Sequence, residues 1–113
     1  MLQVSISRWQ EKGDDDDVWA YICDALYEAS SLGDDMEVLL LLKQGADVNA
    51  QRGQYGSTLQ VASRGGHEKV VQMLIDAGAD VNAQGGRYGS ALRAASFNGH
   101  EKVVQILRAA GAR

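Results

Sequence analysis

The sequence repeats itself every 33 residues, and that period leaves few folds open. The string Gly-Ala-Asp-Val-Asn-Ala-Gln occupies 45–51 and returns at 78–84, and Gly111-Ala112 begins it again. Tyr-Gly-Ser recurs at 55–57 and 88–90, and Gly-His-Glu-Lys-Val-Val-Gln at 66–72 and 99–105. Residues 45–77 and 78–110 agree at 23 of 33 positions. One more step back, 12–44 keeps seven of them: Asp14, Leu26, Ala29, Ser30, Gly33, Val38 and Leu41. The weak copy therefore retains the apolar and glycine framework of its second half. A unit this short cannot bury its apolar surface alone and is stable only when copies stack, so the expectation is a solenoid.

Each unit reads as two short helices and a finger. Residues 58–64 place Leu59 and Ala62 on one helical face. Ser57 is the expected N-cap, and Gln60 three residues on completes a capping-box pattern. Gly65-Gly66 ends the helix and turns the chain. A second helix over 68–77 faces Val70, Val71, Leu74 and Ile75 inward, and Gly78 stops it. The polar, glycine-rich stretch that follows, through Gly85-Gly86, reads as an extended loop or hairpin. The last copy repeats the plan with helices at 91–97 and 101–110, and the first contributes a helix near 35–44, ended by Gly45.

Two helices separated by Gly-His, followed by Gly-Ala-Asp-Val-Asn, resemble the ankyrin repeat, whose length is likewise 33. The likeness is strong over 45–113 and weaker over 24–44. The variant with Gln-Gly-Gly, Tyr-Gly-Ser and Gly-His-Glu-Lys-Val-Val resembles ankyrin arrays of large fungal receptor-like proteins. Where the family motif reads Thr-Pro-Leu-His, this chain has Ser57-Thr58-Leu59-Gln60 and Ser90-Ala91-Leu92-Arg93. The cap hydroxyl and core leucine stay, while the proline and histidine are lost. The resemblance implies an all-α fold: a short ankyrin-type solenoid of about three helix-turn-helix repeats with hairpin fingers. It divides the chain into a capping helix and acidic lead-in over 1–23 and repeats at about 24–44, 45–77 and 78–113.

The two ends read differently. Leu42 and Ile75 occupy a helix position that becomes Arg108 in the last copy. An arginine there would be costly beneath another repeat and costs little at an open end, so Arg108 is read as an end-cap residue. At the other end, Leu2, Ile6 and Trp9 fall at helical spacing before Gly13, which suggests a capping helix over 2–12. After the run Asp14–Asp17, the residues Val18, Tyr21, Ile22, Ala25, Leu26 and Ala29 share one face. A long helix from about 17 to 32 is favoured over a loop followed by a helix starting at Asp24.

Charge and composition then remove whole classes of function. The net charge of −4 hides ten acids against two bases in 1–37, and nine bases against five acids in 38–113. An acidic head and a mildly basic body do not make the broad basic field that nucleic acid requires. The longest apolar run, 38–42, is too short to cross a bilayer, and the amino terminus lacks the plan of a secretion signal. One cysteine excludes an internal disulfide and a multi-thiolate metal site and suits a reducing compartment. The expectation is an intracellular protein, cytoplasmic or nuclear, without a membrane or nucleic-acid partner, monomeric or weakly oligomeric.

Chemistry finds little support. His67 and His100 sit at the same place in successive repeats without a third ligand nearby, and a turn-capping role fits them better. Asp47-Val48-Asn49-Ala50-Gln51 echoes a calcium loop, but Thr58 stands where the bidentate glutamate must be. Gly85-Gly86-Arg87-Tyr88-Gly89 lacks both the Gly-Lys-Ser/Thr ending of a phosphate loop and dinucleotide spacing. Cys23 lies among aspartates that oppose thiolate formation, and is read as an inert, partly buried thiol. No serine, histidine and acid form a nucleophilic arrangement. No enzyme, metal or cofactor is expected.

The two good copies differ at ten positions, seven of them in the finger and first helix. In ankyrin-like arrays those elements line the concave face that holds partners. The expected partner-binding residues are therefore Arg52, Gln54, Tyr55, Gln60, Arg64, Arg87, Tyr88, Arg93, Phe97 and Asn98. No acid lies between Ala50 and His67 or between Ala83 and His100, so the arginines suit an acidic or phosphorylated segment. A non-catalytic protein-interaction module is the leading reading. The alternatives are a structural piece stacking within a larger assembly and, more weakly, a ligand-binding or enzymatic role on the same face.

Overall fold

A computed structural model describes residues 15–51 and 54–113, with side chains from Tyr21 onward. The helix expected over 2–12 and the candidate Arg52 lie outside the described residues. Among those described there are six helices and no strand. They are α1 (Asp15–Leu32), α2 (Asp35–Lys43), α3 (Thr58–Gly65), α4 (Glu68–Asp76), α5 (Ala91–Phe97) and α6 (Glu101–Ala109). The long helix at the start of the array thus runs through the aspartates, which favour a helix N-terminus.

Helices pair within each copy as α1·α2, α3·α4 and α5·α6. Across copies α1, α3 and α5 form one row, and α2, α4 and α6 a second, looser one. The 33-residue period explains the packing directly, because equivalent residues stack in columns. Ala29, Ala62 and Ala95 form one column and Leu41, Leu74 and Leu107 another, and all six are buried. Small residues at the first let the inner helices approach closely, while the leucines fill the space between the rows. Val38 and Val71 are fully buried, whereas the equivalent Val104, on the last copy, is only partly buried.

Caps set the helix boundaries. Ser57 and Gln60 form the full capping box expected of them: the Ser57 amide donates to Gln60 Oε1 (2.6 Å) and the Gln60 amide to Ser57 Oγ (3.3 Å). Ser90 caps α5 with the serine half alone, accepting from the Arg93 amide at 3.2 Å. The fingers are minimal hairpins, each closed by one antiparallel bridge, Gln51 with Ser57 and Gly85 with Gly89.

Two polar ladders join the copies. His67 Nε2 lies 2.9 Å from the Ser31 carbonyl and His100 Nε2 3.0 Å from the Arg64 carbonyl. A carbonyl only accepts, so each Nε2 carries the proton and satisfies an orphan acceptor at the end of α1 or α3. Neither histidine caps its own helix. The turn-capping role expected of them is therefore played on the preceding copy. Each imidazole lies over the glycine that ends that helix: Gly33 under His67, Gly66 under His100. Both glycines have positive φ, 75° and 72°, and a Cβ on either would run into the ring.

The second ladder uses the Asp-Val-Asn string. Asn49 donates from Nδ2 to the Gly78 carbonyl (3.2 Å) and accepts from the Asp80 amide at Oδ1 (2.7 Å). Asn82 repeats this with Gly111 (3.2 Å) and Arg113 (3.0 Å). Asp47 and Asp80 hold those asparagines in place by accepting their amides, so the calcium-like string is a clamp between copies.

Candidate functional site

The inner helices end beside the finger tips, and there the two good copies build the same contact with different residues. Arg64, near the end of α3, lies over the ring of Tyr55 with its guanidinium carbon 4.3 Å from the centroid. Phe97, which occupies the equivalent place in α5, lies against Tyr88, with ring centroids 5.3 Å apart and planes inclined by 48°. Tyr55 and Tyr88 stack on each other across the copies, 5.9 Å apart and within 13° of parallel. The result is a continuous strip, Arg64–Tyr55–Tyr88–Phe97, on the finger side of the inner row. Stacked rings and a cation over a π-face are each worth about 1 kcal/mol, enough to pre-order the strip.

Backbone contacts fix its spacing. The Arg87 amide donates to the Gln54 carbonyl at 2.9 Å, tying one finger to the next. The Tyr55 amide donates to the Tyr27 hydroxyl at 3.1 Å, which holds the first finger against α1. Tyr27 carries no repeat signal in the sequence: its position is tyrosine, glutamine and arginine in the three copies.

Tyr88 is the polar centre of the strip. A side-chain hydrogen bond from Asn98 lowers its pKa; burial pushes the other way, while a hydrogen bond from Arg64 and the charges of Arg64 and Arg87 lower it further, for a net depression. Asn98 is itself anchored by Nδ2 to the Ala94 carbonyl at 2.8 Å. Phe97 is 78% exposed, an unusual condition for a phenylalanine, and with Arg87, Tyr88, Arg93 and Ser96 it lines a shallow depression at the end of the strip.

One candidate is misplaced. Gln60 is only 2% exposed. Its Oε1 closes the capping box, and its Nε2 donates to the Gly85 carbonyl of the next finger at 2.7 Å. It holds two copies together and leaves the set of partner-binding residues. Arg93 occupies the same place in the last copy, where no described finger follows, and it is exposed there. Gln54, Arg87 and Asn98 are also exposed, whereas Tyr55, Arg64 and Tyr88 are half-buried within the strip.

Cys23 is buried. Among the described residues no three of His, Cys, Asp and Glu are grouped so as to hold a metal ion, and no helix is long and apolar enough to cross a membrane. A family model of ankyrin repeats, in three copies, matches residues 26–113. No curated protein matches the chain by sequence.

Proposed function

The chain belongs to the ankyrin-repeat family, whose arrays generally serve as protein–protein interaction modules, and from that premise we propose that its Arg64–Tyr55–Tyr88–Phe97 strip binds an acidic or phosphorylated segment of a partner protein. The observation that carries this reading is the exposed Phe97 at the end of a pre-ordered aromatic strip, with Arg87 and Arg93 beside it. Aromatic rings give large contact area at low conformational cost, and guanidinium forks match carboxylate or phosphate oxygens in pairs. The chemistry suits holding a chain segment rather than transforming it, so the protein is read as non-catalytic, acting within the cell. Arg93 and Arg87, the charged residues of the depression, act mainly on association rate and salt dependence, while the aromatic contacts of Tyr88 and Phe97 act on dissociation.

An array of acidic and phosphorylated peptides, probed with the folded chain, tests this. Arg87→Glu with Arg93→Glu is expected to weaken the peptides bound by more than tenfold, about 1.4 kcal/mol, and to flatten the salt dependence. Phe97→Ala is expected to accelerate dissociation with little change in association. Equal binding by the wild type and the double variant, with circular dichroism unchanged, would remove the basic aromatic strip as the binding surface.

A further inference from the structure

We propose that a second copy of this chain docks on the outer face of α2, forming an antiparallel helix pair about a two-fold axis. The inference is independent of the strip, which lies on the inner row. It starts from a comparison that the repeat itself supplies. Two positions on the outer helix carry Lys69 and Gln72 in the second copy and Lys102 and Gln105 in the third, all exposed. The first copy replaces them with Met36 and Leu39, which remain 67% and 41% exposed. Leu40, four residues from Met36 and so on the same helix face, is 49% exposed and extends the patch. The first copy has thus become apolar at places where solvation keeps its siblings polar, and a contiguous apolar patch on a helix face marks a contact surface.

The occupant is indicated by the charges that flank the patch. α2 opens with Asp34, Asp35 and Glu37 and closes with Lys43, while its middle is wholly apolar. Asp35 is engaged by Lys69 of its own chain at 3.7 Å, while Glu37 and Lys43 are exposed at opposite ends of the helix. A two-fold axis passing between Leu39 and Leu40 sets Met36 of one copy against Lys43 of the other. The lysine stem then covers the methionine and its ammonium reaches Glu37, and the same contact is made twice. The antiparallel macrodipoles add to the attraction. α2 therefore carries both halves of its own complement, a pattern that a different protein docking there would not require. With only nine residues in the helix the contact is small, so a weak, reversible dimer is expected.

Sedimentation velocity on the whole chain, from micromolar to millimolar concentration, tests the proposal. The wild type is expected to shift from monomer to dimer over that range. Met36→Lys with Leu39→Gln installs the residues that the other two copies carry at these places, so the fold should persist, checked by an unchanged thermal transition, while the dimer is lost. Glu37→Lys and Lys43→Glu should each weaken dimerisation at least tenfold at low salt, and the two combined in one chain should restore it. A wild type that stays monomeric throughout overturns the proposal, as does a dimer that survives the Met36→Lys, Leu39→Gln change. A double charge swap no better than the single ones overturns the antiparallel register.

Discussion

Gln60 shows how one residue changes meaning with its surroundings. Its side chain meets three demands at once: an acceptor for the Ser57 amide, a donor to the Gly85 carbonyl, and bulk between two copies. Gln60→Ala should cost about 2 kcal/mol, from the lost cap and two stranded backbone groups, read as a lower urea midpoint with unchanged slope. Gln60→Glu keeps the acceptor but loses the donor and turns a buried carboxylate toward a carbonyl. It should be the worse of the two at neutral pH and recover as acid protonates it. The neighbouring Thr58 is buried too, and its counterpart in the next copy is Ala91, likewise buried. Tyr88 supplies a spectroscopic prediction. Its depressed pKa means that phenolate absorbance at alkaline pH should begin below the ordinary phenol value of about 10, and Asn98→Ala should move that onset upward. The sign for stability follows from linkage: the ionised form is favoured by folding, so any contribution is present above the unfolded pKa and is lost as pH falls through the folded one. At neutral pH the group contributes nothing.

At the scale of elements, the short helices depend on one another for their ends. α3 has eight residues and α5 seven, too few to be stable alone in water. The Arg64 carbonyl at the end of α3 is satisfied from the next copy by His100, whose ring also fills the space over Gly66. His100→Ala should therefore destabilise the array by about 1–2 kcal/mol through one lost hydrogen bond and lost packing. Hydrogen exchange should show the loss at the end of α3, not in α6, which carries the mutation at its start. That non-local readout separates a clamp between copies from an ordinary N-cap. In the first copy the same position is Asp34, which does cap its own helix by accepting the Glu37 amide at 3.2 Å. The finger depends on its neighbour in the same way. Gly86 has φ 71° and sits so close to the Tyr55 backbone that a Cβ would collide with it, which keeps the two fingers, and hence the two tyrosines, in register.

At the scale of the molecule, the described array is a row of interfaces between copies. Val104 is only partly buried where Val38 and Val71 are fully so, and the space above Gly99 is open where His67 and His100 cover its equivalents. The last copy therefore retains much of a stacking surface, and exposed Arg108 sits on it together with Ser96 and Val104. Arg108→Leu would make that end continuously apolar and should promote self-association through it. Light scattering is expected to give a weight-average mass that rises with concentration beyond that of the wild type. Equal masses for the two proteins would mean that Arg108 does not limit stacking. An α2 pair would form on the first copy's outer face, so Arg108→Leu should still add mass when Met36→Lys and Leu39→Gln are present.

The period, the helix pairs and the columns of the core are legible in the order of amino acids alone. Those rest on short-range chemistry: helical spacing of Val70, Val71 and Leu74, glycine at positive φ, and a serine with a glutamine three residues on. Such features keep their meaning wherever the segment is placed, and a period of 33 residues forces equivalent residues into register. What lay between copies was decided only by the tertiary structure. Gln60 and Arg93 share one sequence position, yet one is clamped beneath the following finger and the other faces solvent. Tyr27 joins the first finger through a contact 28 residues away that no repeat announces. Whether Met36 and Leu39 face a core or water could be read only once their neighbours were in place. Burial and hydrogen bonding depend on what the stack sets opposite a residue, and in a solenoid that differs from copy to copy even where the letters agree.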